Sequence, residues 1–129
     1  MYASAVSAIP AVRDYLLDMQ RDMAKRCSVI MDGRDIGTVV LPQAQVKIFL
    51  SADVEVRARR RTAELEQRGT PKPYAQVLEE MKERDWADSH RETAPLRPAE
   101  DAIVVDTTNM DFQQSKEAIL QVIGRQLQL

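Results

Sequence analysis

Residues 29–40 read VIMDGRDIGTVV. An apolar, partly β-branched run ends at Met31, the polar residues Asp32, Gly33, Arg34 and Asp35 follow, and apolar side chains resume at Ile36, Val39 and Val40. A run of this kind, closed by a glycine-containing cluster of opposite charges, predicts a buried strand over 28–31 that delivers side chains at its C-terminal end. In open α/β sheets ligands bind at that end. Arg34 can clamp an anion through its planar fork, and Asp35 can accept bonds from a base or a sugar. A hairpin turn with a structural ion pair carries the same local signature, so this stretch alone leaves both readings open.

The totals bound what surrounds it. A length of 129 residues makes one domain with a modest core the default. Hydrophobic residues at 44% and charged residues at 29% suit a globular chain. A net charge of −2 argues against generic binding to nucleic acid or to a membrane surface, both of which need a basic excess. The single Cys27 rules out an intramolecular disulfide and suits a reducing compartment. Cys27 and His90 are too few for a Cys/His zinc site, so no metal-ligating residues are expected. No apolar run approaches the roughly 20 residues of a spanning helix, and no basic segment near Met1 suggests a signal peptide.

Upstream of the central stretch, Pro10 suits a first helical turn, and Val12, Leu16, Met19 and Met23 form one apolar stripe. These predict a helix over 10–25, on which Arg13 reads as a solvated charge. Downstream, Pro42 ends a short helical or extended piece. VKIFL at 46–50 is the second predicted strand. Ser51 or Asp53 can cap a helix that runs to Gln67 and stops at Gly69. That helix carries Arg57, Arg60 and Arg61, which fit either a solvated face or one turned towards a polyphosphate.

GTPKP at 69–73 breaks the chain before another helix, 74–89. Arg84, Asp88 and Arg91 follow at i, i+4 and i+7 and can share a face if the helix persists. They form either a site for a phosphate and a sugar hydroxyl or an intrahelical ion-pair ladder. Trp86 and His90 read as packing or surface residues. AIVVD at 102–106 is the third strand, and Asp111 with Gln114 predicts a capping box for a last helix whose apolar face includes Phe112, Ile119, Val122, Ile123 and Leu127. The long helical crossover before the third strand argues for a parallel α/β sheet.

With these residues in view, the sequence resembles the C-terminal half to two-thirds of the bacterial cytidylate kinases, nucleoside monophosphate kinases of the P-loop fold. The resemblance runs from about Ser4 to the last helix. It is carried by DGRDIGTVVLP at 32–42, VKIFL at 46–50, RARRR at 57–61, KERDWADSHRETAPL at 82–96 and AIVVDTT at 102–108. It implies transfer of the γ-phosphoryl group of ATP, with Mg²⁺, to CMP or dCMP, in the cytoplasm. It implies one domain over 1–129 with a lid at about 53–91. By the same resemblance Ser4, Arg13 and Asp35 read the cytosine, Arg34 and Arg91 hold the CMP phosphate with Arg84 assisting, and Asp88 bonds the sugar. Arg57, Arg60 and Arg61 would be lid arginines closing over the phosphates.

One departure is large. No Gly-x-x-x-x-Gly-Lys-[Ser/Thr] occurs in the 129 residues, so the loop that cradles ATP in that family is missing here. In such kinases the first strand sits inside the sheet, and without it two strand edges are left unpaired. The expectation is therefore a truncated chain, inactive alone, that re-pairs its strands, swaps them with a second copy, or stays partly unfolded. A non-catalytic CMP-binding or oligomerisation remnant, and a kinase for UMP or AMP, are the competing readings. An arginine-helix nucleic-acid binder is disfavoured by the net charge of −2 and by the lack of aromatic residues among 57–61.

Overall fold

A computed structural model describes residues 5–6, 9–92 and 95–129. Helix α1 spans Pro10–Arg26, with the proline in its first turn and Lys25 and Arg26 in its last. The proline lacks only an N–H that the first turn does not use, and the basic end complements the helix dipole. The face that packs is not the expected one. Leu16, Met19 and Met23 are 41%, 45% and 48% exposed, whereas Arg13, Leu17, Gln20, Arg21 and Ala24 are half-buried. The inner face is turned about one residue from most of the apolar stripe, of which only Val12 is half-buried, and the side-chain bonds from it to the segment it meets come from Arg13 and Arg21.

That segment holds the main correction to the sequence reading. Residues 28–31 join no sheet, and Ile30 is 96% exposed. β-Branched composition gives a stretch the capacity to pair but supplies no neighbour. Past Gly33 the chain winds into a single π turn, Ile36–Val40, with the N–H groups of Val40 and Leu41 donating to the carbonyls of Asp35 and Ile36 at 3.1 and 2.7 Å. Gly33 has φ +159°, and a Cβ there would meet Ile36 Cγ1 at 3.1 Å, so a bare backbone is needed just before Arg34.

Strand β1, Ile48–Ser51, pairs in parallel with β2, Ile103–Asp106, from Ile48↔Ile103 to Ser51↔Asp106. The parallel sheet is as expected, but among the described residues it has two strands, not three. Between them lie α2, Val54–Gln67, and α3, Tyr74–His90. Ala58, Leu65 and Val77 form a buried cluster between these helices, edged by Tyr74, Leu78 and Met81. α2 closes with a Schellman arrangement: Gly69 (φ 76°) donates to Glu66 and Thr70 to Leu65, at 3.1 and 3.0 Å. Asp53 occupies the N-cap of α2, yet its side chain makes no cap bond. Its backbone N–H donates to Thr108 Oγ1 at 3.0 Å.

The last helix, α3 being followed by β2, is α4, Phe112–Leu127, and its Asp111–Gln114 capping box is complete. Its buried residue is Val122, while Phe112 is 84% exposed and stands outside the apolar face assigned to it. At the first helical position it precedes the part of α4 that the protein covers.

Before the sheet, Lys47 joins the Pro42 carbonyl to Asp101 Oδ1, the latter at 2.8 Å. The bond from Lys47 holds the Asp101 carboxyl below its ordinary range. The folded chain thus favours the carboxylate over the unfolded chain. The resulting stability is present above the ordinary carboxylate range and is lost as pH falls through the lowered folded value. It is small, because Asp101 is 64% exposed. In urea melts the parent chain is expected to outlast Asp101→Asn near neutrality and to lose that advantage in acid. A gap that stayed constant down to acid pH would contradict the assignment.

Candidate nucleotide-binding site

Arg34 and Asp35 are consecutive, and their side chains part. Asp35 sits ahead of the π turn at φ −132°, ψ 17°, outside helical geometry. Its Oδ2 accepts from Arg13 Nη2 of α1 at 3.2 Å. Arg34 donates Nε to Asp88 Oδ2 of α3 at 2.5 Å. The polar turn therefore bridges two helices with two ion pairs of opposite sense. The carboxylates are the better buried members: Asp35 is 19% exposed and Asp88 17%, against 28% for Arg13 and 37% for Arg34. Among the described residues Arg34 engages only Nε, which leaves its terminal nitrogens for an anion, and Asp35 keeps Oδ1.

Arg84 stands one turn from Asp88 on α3, with Nε 4.0 Å from Oδ2. The helix does not persist to Arg91, which is its half-buried C-cap at ψ 145°. The i, i+4, i+7 ladder is thus replaced by a cluster in which Asp88 receives Arg34 from outside the helix. Ser4 lies outside the described residues.

The three arginines of α2 expected in the lid, Arg57, Arg60 and Arg61, go separate ways. Arg57 makes a two-pronged bond to Asp85 at 3.1 and 2.6 Å and donates Nε to the Ala52 carbonyl at 2.9 Å. Arg60 reaches the loop after β2, giving bonds to Thr107 Oγ1 and to the Thr107 and Met110 carbonyls at 3.2, 2.6 and 3.1 Å. Arg61 pairs with Glu64 at 3.2 Å. Thr107 is itself buried, and it donates both its N–H and its hydroxyl to the Ser51 carbonyl. Arg60 therefore ties α2 to the carboxyl ends of both strands. Beside it, the hydroxyl and then the N–H of Thr108 hold the Asp106 carboxyl below its usual range.

Two participants escaped the sequence reading. Asp85 hides in the charged run KERD, where any one carboxylate reads as solvated. Arg21 donates to the carbonyls of Val39 and Val40 at 2.8 and 3.1 Å. Nothing in the sequence singles it out among the charges of α1. Trp86 is exposed and stacks on His90 with ring centres 4.5 Å apart, a surface pairing as expected. Among the described residues no three His, Cys, Asp or Glu side chains gather to hold a metal ion. Among the same residues, no helix is long and apolar enough to cross a membrane.

Parallel strands, a helical crossover rich in arginine and a charged turn facing it define an α/β chain of the P-loop nucleoside monophosphate kinase class. Residues 1–125 match the family described as cytidylate kinase, and the chain belongs to that family. It is 52% identical to a cytidylate kinase of Caldicellulosiruptor saccharolyticus over 131 residues, covering 98% of this chain and 58% of that protein. Cytidylate kinases of Thermosipho melanesiensis and Streptococcus pneumoniae are 47% and 48% identical, with 59% and 53% of their lengths covered. The chain spans little more than half the length of the curated relatives it matches.

Proposed function

We propose that this chain forms the acceptor-nucleotide side and the lid of a kinase that moves the γ-phosphoryl group of ATP to CMP or dCMP. The observation that carries the reading is the divergence of Arg34 and Asp35 into two ion pairs with different helices. It sets a carboxylate and an arginine side by side for a base, and a second arginine–carboxylate pair next to them for a phosphate and a sugar. Asp35 accepts the exocyclic amine of cytosine on its remaining oxygen, and Arg13, with Ser4, serves the N3 and O2 acceptors. Arg34, Arg84 and Arg91 take the CMP phosphate, and Asp88 takes a sugar hydroxyl.

The hairpin of α2 and α3, about 53–91, acts as the lid. On closing, Arg57 and Arg61 exchange Asp85 and Glu64 for phosphate oxygens and exclude water. Arg60 has the most to give up, since three oxygens already engage it. ATP enters as co-substrate with Mg²⁺, which is assigned to none of these residues. The setting is cytoplasmic, neither nucleic acid nor membrane is a partner, and a second copy of the chain can lend its strands to the sheet.

A phosphoryl-transfer assay with ATP, Mg²⁺ and CMP tests this, run with the chain alone and with an added segment carrying a Gly-rich phosphate loop. Turnover is expected only with the added segment. Absence of turnover in both arms together with absence of CMP binding would refute the reading, and CMP binding without turnover would favour a non-catalytic binding role.

A further inference from the structure

Helix α1 grips the charged turn at two points. Arg13 meets Asp35 at its start, and Arg21, two helical turns along the same half-buried face, meets its end. The Nε of Arg21 donates to the Val40 carbonyl at 3.1 Å and its Nη2 to the Val39 carbonyl at 2.8 Å. These are the last two carbonyls of the π turn, and none of its own N–H groups reaches them. Inside the turn the Asp35 carbonyl takes the N–H groups of Val39 and Val40, and the Ile36 carbonyl takes that of Leu41. The chain then enters Pro42, which has no N–H, and the next turn bond, from the Ala44 N–H, goes to the Leu41 carbonyl and not to Val39 or Val40. Val40 is 4% exposed, so water is a poor substitute. A guanidinium supplies two diverging donors to successive carbonyls and sets positive charge at the negative end of the turn.

The same backbone that Arg21 holds carries Asp35 at its other end. We propose that Arg21 is a positioning residue: by holding the last carbonyls of the turn it fixes the Asp35 carboxylate against Arg13, and through Asp35 it sets the discrimination between bases. For its ligand the inference rests on the function proposed above. For its geometry it rests on the two bonds of Arg21 alone.

The full chain is compared with Arg21→Met, Arg21→Lys, Arg13→Met and the double variant Arg13→Met/Arg21→Met, by two readouts. The first needs no ligand. Amide hydrogen exchange at Val39, Val40 and Leu41 is expected to quicken about tenfold in Arg21→Met, the size of a lost charged hydrogen bond. Arg21→Lys recovers part of the protection, because an ammonium is a single point donor. The two methionine effects combine non-additively, since both act on one turn. The second readout is affinity for CMP and for UMP, where Arg21→Met is expected to lower the CMP-to-UMP ratio.

Unchanged exchange, or strictly additive effects, would overturn the proposal whatever the nucleotides do. So would an equal loss of both affinities with the ratio preserved, which is what a merely structural role produces. If the parent chain binds neither nucleotide, that result counts against the proposed function and not against the geometry, and the exchange cycle alone decides the placement of Asp35 by Arg21.

Discussion

Exchanging Asp35 for alanine is expected to bring the ratio of CMP to UMP affinity close to one, a loss of roughly 10- to 100-fold, the range of one charge-assisted hydrogen bond. Cytosine presents an amine donor where uracil presents a carbonyl acceptor. A carboxylate at that place attracts the first and repels the second, so removing it acts on both terms of the ratio. The fold around it is expected to hold, because the turn depends on the Asp35 carbonyl, which accepts from Val39 and Val40, and alanine keeps that carbonyl. The phosphate and sugar contacts proposed for Arg34 and Asp88 involve different atoms and should change far less. Titration calorimetry with both nucleotides measures the ratio directly. A preference for CMP that survived the exchange would remove Asp35 from base recognition.

The second large effect is on the hairpin of α2 and α3, the proposed lid. Val77 is 2% exposed and faces Ala58, which is fully buried, in the small core between α2 and α3. Val77→Ala deletes two methyl groups and leaves a void that helices joined by a short turn cannot readily close. The expected cost is about 2 kcal/mol, from roughly 0.8 per buried carbon plus the cavity. Amides of α2 and α3 should then exchange about 30-fold faster, while those of α4 change little. The Arg57–Asp85 pair will not compensate, since its members are 36% and 39% exposed. Equal acceleration in α4 would mean that the hairpin is not a separate unit, and no acceleration would mean that its core is not what holds it.

Much of this architecture was legible in the chain. Pro10, Gly69 and the Asp111–Gln114 pair act through their own backbone geometry, so their effects can be read locally. The parallel pairing of 48–51 with 103–106 followed from the helices between them. Residues 28–31 failed for the opposite reason: a strand is a relation between two segments, and SVIM describes only one. The inner face of α1 failed because hydrophobic spacing cannot register a helix held by arginines.

The site divides along the same line. Arg13, Arg34, Asp35 and Asp88 were named through family resemblance, while spacing alone left each of them open. Their pairing, with Arg34 and Asp88 separated by 54 positions, came only with the fold. Asp85 and Arg21 are surface-type residues whose partners decide their meaning.

The mooring of α1 has one more consequence. None of its residues is fully buried, and two arginines supply its named bonds to the turn. Attraction between partly exposed charges weakens as mobile ions crowd around them, over a screening length of about 8 Å at physiological ionic strength and about 3 Å at 1 M. Hydrocarbon contacts, such as those between α2 and α3, are not weakened in this way. Ionic strength is therefore a handle that addresses one part of this molecule selectively: added salt is expected to slacken α1 and the turn that carries Asp35, and to leave the hairpin of α2 and α3 closed on its own core.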